Sequence, residues 1–256
     1  ITEDEMTQTT HLLLDIEGTT CPISFVSSVL FPYAKKQLAP YLSLHAHNKE
    51  VQAIITEAWQ EWRIDQDEIS QKLLQQSPTE EEDTAHQAIS NYFQHLISID
   101  RKSTSLKDLQ GRIWEQGYRD RALQTELFPE ALQALRSWNR ADLKLAVYSS
   151  GSINAQKLLY QYTPEGDIRD LFCAWFDTHT GPKKASGSYI NIAKQLGIRA
   201  KQITFISDNK AECDAAEEAG IRTLFSLRDN NPDQDPGQHC VIRSLNEVLS
   251  QLQLSS

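Results

Sequence analysis

Two carboxylates lie two residues apart in the segment Asp15–Thr20, directly after a short apolar run and just before a glycine. Asp15 could attack a phosphorus atom as a nucleophile, and Glu17 could protonate the leaving oxygen as a general acid. Backbone N–H groups of the turn that the glycine permits could hold phosphate oxygens. The alternative is that Asp15 only caps a turn, a role in which aspartate is common. The pair is therefore compatible with phosphoryl transfer but does not establish it.

Hydroxyl and ammonium groups that could bind a phosphate occur in two later segments. Ser149 and Ser150 follow an apolar run, and their hydroxyls could donate hydrogen bonds to phosphate oxygens beside a helix N-terminus. Capping of that helix is the competing explanation. One lysine of the pair Lys183 and Lys184 could neutralise charge on both the nucleophile and the phosphate, although adjacent loop lysines are commonly solvated.

A further apolar run ends in a possible metal ligand, Asp208, and Glu212 follows four residues later. Carboxylate oxygens are the ligands that Mg²⁺ prefers, so these residues could bind the ion together with Asp15. Capping of the following helix is the alternative role for Asp208.

The elements that must position these groups alternate between strands and helices. Short apolar runs predict buried strands that end at the polar segments, and stretches of helical periodicity follow them. The predicted strands are His11–Asp15, Leu143–Tyr148, Ala174–Asp177, Ile203–Ile206 and Thr223–Leu227, and the predicted helices include Ala155–Tyr162 and Ala211–Ala219. The alternation predicts an α/β fold with a parallel sheet covered on both faces and the polar segments at one edge.

A long stretch between the first two predicted strands has apolar residues at helical spacing throughout. It predicts a helical lobe of residues 25–124, inserted into an α/β core of residues 1–24 and 125–256. Within the lobe, the acidic run Glu80–Asp83 predicts the solvated first turn of a helix. In the core, the turn-rich segment Asp229–Gly237 predicts a loop.

Composition excludes several classes of protein. A net charge of −10 over 256 residues argues against nucleic acid as a partner, because such binders need a concentrated basic surface. A small phosphorylated substrate stays compatible, since one metal ion and one lysine can reverse the potential locally. We expect no membrane partner and a cytoplasmic location, because no apolar run could span a bilayer and residues 1–10 do not resemble a secretory signal. Four widely spaced cysteines predict free thiols.

The order of these segments resembles the haloacid dehalogenase superfamily: a carboxylate pair, a serine at a strand end, a loop lysine, and an aspartate at another strand end. The resemblance covers the whole chain. It implies a Rossmann-like parallel sheet at whose carboxyl edge the four segments converge, with a cap domain inserted after the first. The helical lobe would be that cap.

The resemblance also assigns roles to individual residues. It implies Asp15 as the catalytic nucleophile and Glu17 as the catalytic acid and base. Lys183 is favoured over Lys184 as the catalytic and substrate-binding lysine, because the family places its lysine two residues after a glycine, here Gly181. The resemblance implies Ser149 and Ser150 as the substrate-binding hydroxyls. It implies Asp15, Glu17 and Asp208 as the magnesium ligands. Glu17 could bind the ion through its backbone oxygen or its side chain.

Three segments, DIEGTTCPISFV, VYSSGSINAQKLL and SDNKAECDAAEEAGI, further resemble the enolase-phosphatases of methionine salvage, a family also called acireductone synthases. This implies a monomer that uses one Mg²⁺ per chain. Such enzymes enolise 2,3-diketo-5-methylthiopentyl 1-phosphate and remove its phosphate through an aspartyl-phosphate, giving the acireductone 1,2-dihydroxy-3-keto-5-methylthiopentene. The alternatives are a haloacid dehalogenase, another small-metabolite phosphatase of this fold, and a catalytically silent binding protein.

Overall fold

The computed structural model describes residues 8–77, 85–99, 101 and 103–253. The predicted helix start at Glu80–Asp83 lies outside these residues. The chain forms two compact units: a core unit of Ile1–Val26 with Gln124–Ser256, and a helical unit of Ser27–Leu123.

A six-stranded parallel sheet forms the centre of the core unit, in the order β3-β2-β1-β4-β5-β6. The predicted α/β class is therefore confirmed, and each predicted strand lies within two residues of its predicted limits. The sixth strand was not predicted, because three residues are too few to show a periodic pattern. The strands are β1 (His11–Leu14), β2 (Lys144–Tyr148), β3 (Phe172–Phe176), β4 (Ile203–Ser207), β5 (Arg222–Ser226) and β6 (Cys240–Ile242).

Strand β1 lies in the middle of this sheet because its side chains are apolar on both faces. Leu12, Leu13 and Leu14 are completely buried, which requires a covering layer on each side of the sheet. Leu14 pairs with Val147 of β2 and with Ile206 of β4. The residue after Leu14 therefore emerges between the ends of two neighbouring strands.

Both helices predicted for the core unit are present, at Ile153–Gln161 and Lys210–Glu218, and Gly220 follows the second in a left-handed conformation with φ of 79°. The predicted loop at residues 229–237 contains no helix or strand. The helices are α1 (Ile23–Phe25), α2 (Phe31–His45), α3 (Lys49–Ile64), α4 (Glu68–Gln75), α5 (Ala85–Ser98), α6 (Thr104–Arg119), α7 (Ala131–Arg140), α8 (Ile153–Gln161), α9 (Ser186–Leu196), α10 (Lys210–Glu218) and α11 (Val248–Gln253).

The helical unit packs α2, α3, α5 and α6 around one apolar core. Its centre is an aromatic stack in which Trp62 lies between Trp59 and Tyr92, with ring centroids 5.1 Å and 4.6 Å apart. Large aromatic rings at helical spacing fill this core. The described residues of the helical unit contain no strand.

Two composition-based expectations can be compared with the structure. All four cysteines are free thiols, as predicted. Among the described residues, every helix is too short or too polar to pass through a bilayer.

Two glycines of α6 provide a test of packing in the helical unit. A Cβ atom at Gly117 would lie 2.7 Å from the Tyr33 ring, whereas one at Gly111 would meet nothing within 4 Å. We expect Gly111→Ala to raise the free energy of unfolding by up to about 1 kcal/mol, because alanine favours the helix. Gly117→Ala must displace Tyr33 and should be less stable than Gly111→Ala by about 1 kcal/mol or more. Urea unfolding followed by circular dichroism measures both; equal stabilisation would contradict the packing.

Candidate functional site

Asp15 lies at the carboxyl edge of the sheet, in the first position after β1. Its side chain is buried, with only 6% of the residue exposed. The backbone N–H of Ile16 donates to Asp15 Oδ1 at 2.8 Å, and the Ser207 hydroxyl donates to Oδ2 at 3.2 Å. Both carboxylate oxygens are therefore held in a fixed orientation.

The ammonium group of Lys183 lies between two carboxylates. Its Nζ atom is 2.8 Å from Asp15 Oδ1 and 2.6 Å from Glu212 Oε2. Lys184 is exposed, and the ring of His179 is 89% exposed. The structure thus brings Lys183, and not its neighbour, to the carboxylate at the end of β1.

Three successive backbone carbonyls hold the loop that carries this lysine. Each accepts a hydrogen bond from a side-chain hydroxyl of a different position in the core unit, which fixes the loop against β2 and α9. The pairs are Tyr148 with Gly181 O at 2.8 Å, Ser188 with Pro182 O at 2.7 Å, and Tyr189 with Lys183 O at 2.7 Å. Gly181 is required here, since it has φ of 144° and a Cβ atom would lie 2.2 Å from the Ser188 hydroxyl.

Two carboxylates contact this ammonium group, and a third carboxyl group, Asp208, lies close enough to be influenced by its charge. Burial, followed by the charges of Asp15 and Glu212, raises the pKa of Asp208 to about 8. Burial and the charge of Asp15 also raise the pKa of Glu212. Burial lowers the pKa of Lys183, but the two adjacent carboxylates outweigh it and raise that pKa above its usual value. If all three carboxyl groups were ionised, the cluster would have more negative charge than one lysine can balance.

The carboxylate oxygens of this cluster suit a hard divalent cation to which the protein would supply only some of the ligands. Asp208 packs so closely on the turn after β1 that a Cβ atom at Gly18 would lie 2.2 Å from Asp208 Oδ2. Within the described residues, no group of three His, Cys, Asp or Glu side chains has the arrangement of a complete metal site. Mg²⁺ commonly binds one or two carboxylates and takes its remaining ligands from water and phosphate. Asp15 and Asp208 could supply that part.

Helix capping, the competing explanation for three of the candidate residues, is carried out by their neighbours. Ser152 caps α8 by accepting from the N–H of Ala155, and Asn209 caps α10 by accepting from the N–H of Glu212. Ser149, Ser150 and Asp208 are therefore not the capping residues of these helices.

The remaining candidate residues also lie near the ends of β1 and β2. Ser149 is buried, its N–H donates to Phe176 O at 3.2 Å, and its hydroxyl accepts from the N–H of Gly151 at 3.4 Å. Ser150 is half-buried beside it. Glu17 is half-buried in the turn after β1, where its backbone forms a bridge with Cys21.

Two residues of the cluster have roles that the sequence did not reveal. The sequence predicts Glu212 only as a possible metal ligand, but it is the second carboxylate on Lys183. The Ser207 hydroxyl lies within 3.2 Å of Asp15 Oδ2 and within 3.0 Å of Glu212 Oε2. A hydroxyl at the end of β4, immediately before Asp208, was the available signal for Ser207.

Comparisons with known proteins agree with this fold and show the family. The profile of the haloacid dehalogenase-like hydrolases matches residues 9–220. The Enolase-phosphatase E1 of Synechococcus sp. strain CC9605 is 53% identical over 94% of this chain and 97% of its own length. That of Serratia proteamaculans strain 568 is 41% identical over 93% and 95%. Among solved structures, the UTR4 protein of Saccharomyces cerevisiae is 31% identical, with a TM-score of 0.69 over 92% of this chain and 98% of that chain.

Two left-handed glycines allow the contact between the turn and Asp208 to be tested. Gly18 and Gly197 have φ of 69° and 70°, but a Cβ atom at Gly197 would meet nothing within 4 Å. We expect Gly197→Ala to cost about 1–2 kcal/mol of folding free energy from backbone strain alone. Gly18→Ala should cost more, because Asp208 must also move. Thermal unfolding of both variants measures the difference, and equal losses would show that the contact contributes nothing.

Proposed function

The chain belongs to the haloacid dehalogenase-like hydrolase family, and from this premise we propose that it is a Mg²⁺-dependent enolase-phosphatase. The observation that carries the proposal is the buried ammonium of Lys183, which lies 2.8 Å from Asp15 and 2.6 Å from Glu212 beside Asp208. A nucleophilic carboxylate, a fixed positive charge and a partial metal site together are what phosphoryl transfer requires.

Asp15 is the proposed nucleophile. It attacks the phosphorus in line, the bond between phosphorus and the ester oxygen breaks, and an aspartyl-phosphate forms. Because Ile16 and Ser207 hold the carboxylate oxygens, the attack needs little reorganisation. Glu17 gives its proton to the departing oxygen and then takes a proton from the water that hydrolyses the aspartyl-phosphate.

Positive charge and hydroxyl donors surround the proposed phosphoryl position. Lys183 neutralises charge on the nucleophile and on the phosphoryl oxygens, and Ser149 and Ser150 donate hydrogen bonds that fix the group. A Mg²⁺ ion held by Asp15, Asp208 and Glu17 would supply further neutralisation of charge when bound. Glu17 could contribute either its backbone oxygen or its side chain.

The substrate we propose is 2,3-diketo-5-methylthiopentyl 1-phosphate, in methionine salvage, with the acireductone and phosphate as products. The names of the relatives at 53% and 41% identity support this assignment, as does Glu17, which resembles the second carboxylate of these enzymes. We further propose that the helical unit is the cap that selects the substrate, and that the enzyme acts as a cytoplasmic monomer.

The proposed reaction can be tested with the diketone phosphate, with and without Mg²⁺. Phosphate release and the ultraviolet absorption of the enediol should appear together, and chelation should abolish both. Asp15→Asn should lower kcat by about 10⁴-fold or more, because the nucleophile is lost while the shape is kept. Phosphate without enediol would refute the enolase half. Faster turnover of phosphoglycolate or of a sugar phosphate would favour another phosphatase, and metal-independent cleavage of a 2-haloacid would favour a dehalogenase.

Adjacent lysines provide a matched test of the charge assignment. Lys183→Met should lower kcat/KM by about 10²-fold or more, since a fixed positive charge at the transition state is lost. Lys184→Met should change kcat/KM by less than about twofold, because that side chain is exposed. Steady-state kinetics on the phosphate ester measures both variants. Similar losses in the two variants would remove the basis for choosing Lys183.

A further inference from the structure

The carbonyl of Gly18, in the turn after β1, accepts two hydrogen bonds from the region around the end of β5. The Ser226 hydroxyl donates at 2.9 Å and the Asn231 amide Nδ2 donates at 3.1 Å. Ser226 is 1% and Asn231 is 6% exposed. Leaving a buried carbonyl without donors is energetically unfavourable. The two side chains therefore hold this carbonyl in one direction.

The next carbonyl of the turn is also held from the same region. Arg228 donates to Thr19 O at 3.4 Å, and its guanidinium is itself fixed by Glu130 at 2.8 Å and by the Phe128 ring at 3.6 Å. We call Ser226, Arg228 and Asn231 the β5 clasp. Asn231 also donates to the carbonyl of Ser226 at 3.1 Å, so the clasp is hydrogen-bonded within itself.

Asn231 of the clasp and the proposed metal ligand Asp208 both lie close to Gly18. A Cβ atom at Gly18 would lie 2.2 Å from Asp208 Oδ2 and 2.9 Å from Asn231 Nδ2. The amide of Asn231 and the carboxylate of Asp208 therefore pack against the same side of the turn. Glu17 immediately precedes this glycine, and Asp15 stands three residues before it. Both proposed catalytic carboxylates therefore lie on the short turn that carries the Gly18 carbonyl.

We propose that Asn231 and Ser226 are positioning residues for phosphoryl transfer, acting through the carbonyl of Gly18 on the turn that carries Asp15 and Glu17. This inference rests on the proposed phosphatase function but not on the identity of the substrate. Neither residue touches the reacting atoms. Losing their hydrogen bonds allows the turn more than one conformation, so fewer enzyme molecules hold the nucleophile, the acid and Asp208 in the arrangement that reacts.

Asn231→Ala, with Asn230→Ala as the matched control, tests the proposal through kinetics. We expect Asn231→Ala to lower kcat by about 10-fold or more, with KM changed by less than about threefold, as for other residues that orient catalytic ligands. Ser226→Ala, which leaves one donor in place, should give a smaller loss in the same direction. Asn230 is exposed, so Asn230→Ala should match the wild type. The rates are measured with both the diketone phosphate and p-nitrophenyl phosphate. If the wild type hydrolyses p-nitrophenyl phosphate but not the diketone phosphate, the proposed substrate is wrong. The role of the clasp is then still tested with p-nitrophenyl phosphate.

Hydrogen exchange of the substrate-free protein provides a readout that does not depend on turnover. The peptide spanning residues 15–21 should exchange faster in Asn231→Ala and in Ser226→Ala than in the wild type or Asn230→Ala. Faster exchange together with the loss of kcat would support the proposal. Unchanged exchange in both clasp variants would overturn it. Faster exchange with unchanged kcat would overturn it as well, because the clasp would then be a structural contact only.

Discussion

Burial of three carboxyl groups at one edge of the sheet depends on the ammonium group that Asp15 and Glu212 share. Carboxylates withdrawn from water lose several kcal/mol of hydration each, and breaking a buried ion pair typically costs about 3–5 kcal/mol. Three hydroxyls bind the carbonyls of the loop that carries Lys183 and help to hold it in this position. The close packing of Asp208 on the turn after β1 then adds the third carboxyl group to the same cluster.

Strand order explains why the cluster forms where it does. Parallel strands all end at the same edge, and β1 has β2 on one side and β4 on the other. Asp15 therefore has the serines that follow β2 and the Ser207–Asp208 end of β4 as its lateral neighbours. The last residue of β5 and the loop after it then supply the clasp. The functional groups come from the ends of several strands, so the site depends on the sheet register.

The fold was predictable because each buried strand is a short apolar run followed by a polar stop, a pattern that depends on local sequence only. The order of the candidate residues was visible for the same reason. Contacts between distant segments were not visible, such as Glu212 with Lys183 or Asn231 with Gly18. The three-dimensional structure was also needed to decide whether Ser149 and Asp208 cap the helices that follow them. A polar residue beside each of them could form the same cap. The predicted limits of the helical lobe and the predicted catalytic and binding roles of individual residues stay predictions.

The two carboxylates around Lys183 also prevent its amine from acting as a nucleophile. A lysine must lose its proton before it can add to a carbonyl carbon. Here the charges of Asp15 and Glu212 hold its pKa above the usual value in spite of burial, so the nitrogen keeps its proton and has no free lone pair. A dicarbonyl substrate bound beside it would consequently not be trapped as an imine. The ion pairs would thus keep a reactive ketone from modifying Lys183, the residue that we propose to bind the phosphate.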